Sequence, residues 1–153
     1  MKKTLADLFM EASGPTVQYK GLTVHSAVFR HVDKPGRFRV RFLKAVASPI
    51  QGLNIDIDRG HLLIAGAKSR KMILRLDTCP IEDEVLYRPA PSSTARLTLY
   101  NSWVDENESV DAWLVHAGML VEETGNKILL RCSDGLGEPT FDDLIVEIEF
   151  LDD

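Results

Sequence analysis

Carboxylates crowd the stretch between residues 134 and 143: Asp134, Glu138, Asp142 and Asp143, on a chain bent by Gly135 and Gly137. A hard cation such as Ca2+ takes about six to eight oxygens from carboxylates and carbonyls on a glycine-bent loop. These four residues are therefore candidate metal ligands, with Ca2+ the cation they suit. A second acidic group, Asp105, Glu106, Glu108 and Asp111, lies between Trp103 and Trp113. Tryptophan supplies large apolar contact area and clustered carboxylates steer a cationic partner onto a surface, so these six residues form a candidate partner-binding surface. The third constellation is basic: Arg37, Arg39 and Arg41 alternate with Phe38, Val40 and Phe42, with Arg30 and Lys44 nearby.

The run Cys132-Ser133-Asp134-Gly135-Leu136-Gly137-Glu138-Pro139-Thr140-Phe141-Asp142-Asp143-Leu144-Ile145-Val146-Glu147-Ile148 resembles the C-terminal loop and strand of calcium-binding bacterial β-sandwiches, including the calcium-mediated bacterial lectins. The shared elements are an Asp-Gly loop, an aromatic residue, an Asn/Asp-Asp pair and an alternating final strand. The resemblance implies Asp134, Asp142 and Asp143 as ligands, with a carbohydrate docking on the ion. Thr140 stands where that pattern carries an acidic residue, and Pro139 precedes it. The residues alone also fit an Asx turn at Asp134-Gly135, with Asp142 or Asp143 closing a turn before the strand.

An arginine row can contact phosphates through its planar forks. Here the intervening Phe38 and Phe42 point to the opposite face, so the stacking aromatics of a single-strand binder are missing. The row instead suits a solvated face neutralised across the sheet by acidic neighbours such as Asp56, Asp58 or Glu147. No nucleic-acid partner is expected.

Catalytic signatures are missing: no G-x-S-x-G elbow, no G-x-x-x-x-G-K-[ST] phosphate loop and no H-E-x-x-H zinc helix occurs. His25, His31, His61 and His116 are scattered without zinc-ligand spacing. Cys79 and Cys132 are expected as free thiols, Cys132 buried in phase with Ile128 and Leu130. Asp7 and Glu11 interrupt the apolar stretch behind Lys2-Lys3, which argues against a secretion signal, and no run nears the ~20 apolar residues of a membrane span. A cytoplasmic protein is expected.

The elements that must position these groups are strands. Of 153 residues, 44% are hydrophobic, and the net charge of -5 hides a strong asymmetry. Residues 1–76 carry fourteen Lys and Arg against five Asp and Glu, and residues 77–153 carry four against eighteen. Thr4, Asp7 and the apolar Leu5, Leu8 and Phe9 predict one short helix over about 4–12, stopped by Ser13-Gly14-Pro15. Alternation then predicts strands through 16–32, 37–42, 53–57, 61–65, 71–76, 94–103, 113–122, 127–132 and 144–150. Residues 77–93, with Pro80, Pro89 and Pro91, read as a long loop excursion. The expectation is a mainly β chain: a single antiparallel, jelly-roll-like β-sandwich of about eight or nine strands, residues 1–153 in one domain. Leu144–Phe150 is a possible edge strand for a homodimer, although Glu147 and Glu149 would blunt it.

Acidic residues gather at 82–84, 105–111, 134–143 and the tail Asp152-Asp153. The function expected is a non-catalytic binding module, a small cytoplasmic bacterial protein of immunity or inhibitor type that holds a basic partner protein. The alternative is a calcium-dependent carbohydrate-binding domain.

Overall fold

A computed structural model of the chain describes residues 3–151, so the acidic pair Asp152-Asp153 lies outside the described residues. The helix is present as α1 (Leu5–Glu11), opened by a capping box in which Thr4 Oγ1 accepts from the Asp7 N–H and Asp7 accepts from the Thr4 N–H. Those bonds hold the Asp7 carboxyl below its usual range. Its buried Leu5 packs with Val17, Val24 and Phe141 in a small satellite core.

The mainly β, antiparallel character is borne out, but the described residues form fourteen strands rather than eight or nine. In chain order these are β1 (Thr16–Tyr19), β2 (Leu22–His25), β3 (Val28–Val32), β4 (Gly36–Ala45), β5 (Ile50–Ile57), β6 (Gly60–Ile64) and β7 (Ala67–Ser69). Then follow β8 (Lys71–Arg75), β9 (Glu82–Pro89), β10 (Ala95–Val104), β11 (Val110–Asp111), β12 (Gly118–Thr124), β13 (Lys127–Ser133) and β14 (Leu144–Leu151). A nine-stranded sheet runs β1-β2-β12-β13-β14-β4-β9-β6-β7, and a five-stranded sheet runs β11-β10-β5-β8 with β3 also on β10.

The extra strands come from breaks that hydrophobic periodicity does not register. Lys20 and Gly21 both take positive φ, splitting β1 from β2. The supposed excursion at 77–93 contains β9, whose buried Val85 and Pro89 face inward. Pro89 ends that strand, where a missing N–H does least harm. Trp113–Ala117, expected as strand, is irregular, and β12 starts only at Gly118.

One hydrophobic cluster takes side chains from both sheets. Phe38, Val40 and Phe42 of β4 and Val146, Ile148 and Phe150 of β14 come from the large sheet, and Leu53, Ile55, Leu97 and Leu99 from the small one. The Phe38 ring lies 5.4 Å from Phe150 and 6.1 Å from Tyr87, centroid to centroid. Cys132 is buried in this core with its thiol pKa pushed far up by desolvation, and Cys79 is half-buried; both are free.

β14 is not an edge. It lies between β13 and β4, so both its sides are hydrogen-bonded within the chain and it offers no edge to a second copy. Glu147 and Glu149 have another use there. Arg39 meets Glu149 at 3.0 Å and Glu82 at 3.2 Å, Arg41 meets Glu82 at 3.0 Å and Glu147 at 3.8 Å, and Arg37 meets Glu84 at 3.0 Å. The arginine row is neutralised across the sheet, as expected, and Glu147 is one of its partners. Asp56 and Asp58 are not, because β5 belongs to the other sheet. Asp56 sits opposite Lys71, and Asp58 Oδ1 accepts from the Arg96 N–H. The carboxylates at 82–84 thus lie on β9, rather than in a loop.

Candidate functional site

The acidic residues 105–111 follow β10 at the end of the small sheet. Asp105 Oδ1 accepts the N–H groups of Asn107 and Ser109, at 2.8 and 3.0 Å, and folds the segment back into β11. Those backbone bonds hold the Asp105 carboxyl below its usual range, while its hydrogen bond with Asp111 raises the latter.

Beside this turn opens a cleft of about 720 Å3. Its walls are the acidic turn, the 47–50 segment with the cis Ser48–Pro49 bond, Leu114 and Val115 from the irregular segment, and the Gly135-Leu136 turn. Asp105, Glu106, Glu108 and Asp111 all line it, as does Asp77. Against these five carboxylates stands one guanidinium, Arg75, which Asp77 already holds at 2.9 Å.

The two tryptophans separate. Trp103 is only 3% exposed and its ring backs Gly135, where an added Cβ would come within 2.7 Å of Cζ2. It lines the floor of the cleft from an almost fully buried position on β10. Trp113 is 51% exposed, but its ring stacks on Tyr100 at 4.2 Å and its Nε1 donates to the Ser26 carbonyl at 2.9 Å. It faces the adjoining hollow with Phe9, Met10, Leu114 and Val115.

Sequence reasoning missed the apolar part of the cleft. Leu114, Val115 and Leu136 are large, exposed side chains, Leu136 at 60%. The signal available is Leu114-Val115 immediately after an acidic loop, although hydrophobic pattern alone reads it as the start of a strand. Val115 has φ of +45°, a costly conformation for a β-branched residue, and Trp113 has +59°. Such a segment cannot continue a ladder, and its apolar side chains are turned outward.

The four predicted metal ligands are divided. Asp134 is 3% exposed; its Oδ2 accepts from Gln51 Nε2 at 3.1 Å and its Oδ1 from the Leu136 N–H at 2.9 Å. That second bond is the Asx turn. Asp143 Oδ2 accepts from the Asp134 N–H at 3.0 Å. Asp142 instead pairs with Lys44 at 3.4 Å, and Glu138 approaches the Tyr19 hydroxyl at 3.5 Å. Among the described residues, no three His, Cys, Asp or Glu side chains are grouped to hold a metal ion. No helix among them is long and apolar enough to cross a membrane.

Burial, and then the nearby Asp134 and Asp142 charges, raises the Asp143 carboxyl above its usual value of 3.8. The folded state therefore binds this proton more tightly than the unfolded one. Stability from this group is present below pH 3.8 and is lost as pH rises through the raised value. Asp143→Asn keeps an acceptor for the Asp134 N–H without the charge. It is expected to melt at a higher temperature than the natural chain at pH 7, the gap closing below pH 3.8. Melting curves against pH read this directly, and a pH-independent gap refutes it.

No family model, curated protein or solved structure matches the chain.

Proposed function

We propose that this chain is a non-catalytic binding protein that holds a basic partner protein at its acidic cleft, in the manner of small bacterial immunity or inhibitor proteins. The observation that carries this reading is the composition of one concave surface. Exposed Leu114, Val115 and Leu136 lie beside Asp105, Glu106, Glu108 and Asp111, and the Arg75 guanidinium in the lining is already paired with Asp77. A partner would insert an apolar side chain into the cleft while its flanking lysines or arginines meet the rim. Apolar anchors supply most of the affinity of such a contact, and the charges supply approach rate and orientation. The two sheets read as the layers of a jelly-roll-like sandwich, which makes the cleft a loop-built end supported by a rigid core. The free thiols fit a reducing, cytoplasmic setting.

A lysine-rich peptide carrying one central leucine, titrated into isotopically labelled protein at low salt, is expected to shift the amide signals of residues 105–115 and 134–137. Replacing Glu106→Gln, Glu108→Gln and Asp111→Asn together should lower the affinity about tenfold or more, and high salt should do the same. Asp105 is left in place because it holds the turn. Shifts scattered over the whole surface, or binding indifferent to the three substitutions, would overturn the reading.

A further inference from the structure

The opposite end of the small sheet carries the opposite charge. β5 starts at Ile50 in the acidic cleft and its eight residues extend about 26 Å before the chain turns through Arg59 into β6. At that far end, beside the outer edge of the large sheet, lies a second concavity of about 540 Å3. The register puts His61 of β6 directly opposite Arg88 of β9, and Leu63 opposite Lys68 of β7. Period-two alternation then places His61, Arg88 and Lys68 on one outward face, since Leu62 between them is buried. Arg70 joins the lining, and Pro89-Ala90-Pro91 forms the apolar wall.

Gly60 makes this corner possible. Its φ is +115°, and a Cβ there would collide with the Arg88 carbonyl and the Pro89 backbone. The close approach of Gly60 draws the β6 start against Arg88-Pro89 and fixes the position of His61.

What distinguishes these three cations is that they line one concavity without a carboxylate partner. Arg37, Arg39, Arg41, Lys44, Arg75, Lys127 and Arg131 each meet a carboxylate. Lys68, Arg70 and Arg88 form no ion pair with any described residue, and no described carboxylate lines the concavity. Three cationic side chains converge there with no described carboxylate among them. His61 experiences the same field: burial, then Lys68 and Arg88, push its pKa below the usual histidine range.

We propose that this concavity is a binding site for a small phosphate-bearing ligand with two or more negative charges. A single carboxylate would leave two of the three cations without a counter-charge. A phosphate or diphosphate offers several oxygens, which arginine takes through its planar fork and lysine as a point charge. The volume falls within the roughly 300–1,000 Å3 of small-molecule pockets, and the proline wall suits the apolar part of a phosphate ester. This site is independent of the acidic cleft, and neither reading needs the other.

Inorganic pyrophosphate is the probe, titrated calorimetrically into the full chain at low salt with inorganic phosphate in parallel. Pyrophosphate is expected to bind more tightly than phosphate and to raise the melting temperature, because it binds the native state. Lys68→Gln, Arg70→Gln and Arg88→Gln together should weaken it by about tenfold or more, since each removes one charge-assisted contact. These side chains are on the surface, so the triple variant should melt normally without ligand, and that measurement separates lost binding from lost fold. Arg39→Gln, in the neutralised row, and the triple acidic-cleft variant should both bind pyrophosphate as the natural chain does. No heat at millimolar pyrophosphate, or equal affinity in the triple variant, overturns the proposal. So does tight, salt-sensitive binding of a single-stranded oligonucleotide with no response to pyrophosphate, which would make the patch a nucleic-acid surface.

Discussion

Asp134→Ala is expected to lower stability by about 2–4 kcal/mol, the loss of two charge-assisted hydrogen bonds that share one carboxylate. For a chain of this size that amounts to roughly 5–15 °C in melting temperature. The reason lies in what the carboxylate holds. Gln51 is fully buried, its Oε1 has no partner, and its Nε2 has only Asp134 and the Pro49 carbonyl. Removing the carboxylate leaves that buried amide poorly satisfied and frees the Leu136 N–H at the cleft wall. The same variant should therefore lose affinity for the lysine-rich peptide beyond what its stability alone explains. Calorimetric melting decides the first part, and a variant as stable as the natural chain would show that Asp134 does not hold the turn. Asp134→Asn should fall between the two, since its carbonyl can still accept one of the bonds.

Phe38→Ala is expected to cost about 3–5 kcal/mol, the range for deleting a buried aromatic ring and leaving a cavity. Phe38 is fully buried on the central β4 and touches the rings of Phe150 and Tyr87 from the two neighbouring strands. Its loss removes packing between three adjacent strands inside the main hydrophobic cluster, so the surroundings have little freedom to collapse. The expected fall in melting temperature is roughly 6–20 °C, with the denaturant slope unchanged. Phe38→Leu, which leaves a smaller cavity, should cost less. A loss in Phe38→Ala below that of an ordinary surface substitution would mean the ring is not part of the core.

These expectations rest on features that the chain displays to different degrees. Thr4, Asp7 and the leucines of α1 specify their helix locally, because every bond in a capping box spans three residues. Phe38, Val40 and Phe42 specify their strand and its buried face equally well, as do Leu53, Ile55 and Ile57. β9 was hidden because Pro80, Pro89 and Pro91 punctuate the segment like a loop, although Val85, Tyr87 and Pro89 keep the strand period. The candidate contact carboxylates at 105–111 were visible as a charge cluster. The apolar half of the cleft was not, since Leu114, Val115 and Leu136 come from two loops about twenty residues apart that meet only over Trp103.

The class of structure and the two faces of each long strand are legible in the chain alone, because side-chain alternation is a property of the extended backbone. So is the dominance of basic residues in the first half and acidic residues in the second. Which charges cancel depends on the folded arrangement of the strands. Strand order put β4 between β9 and β14, so Arg37, Arg39 and Arg41 meet Glu82, Glu84, Glu147 and Glu149. The same order left Lys68, Arg70 and Arg88 around one concavity at one end and the carboxylates of 105–111 at the other. Ion pairing depends on which strands become neighbours, and that is set by long-range packing of apolar faces that carry no charge information of their own.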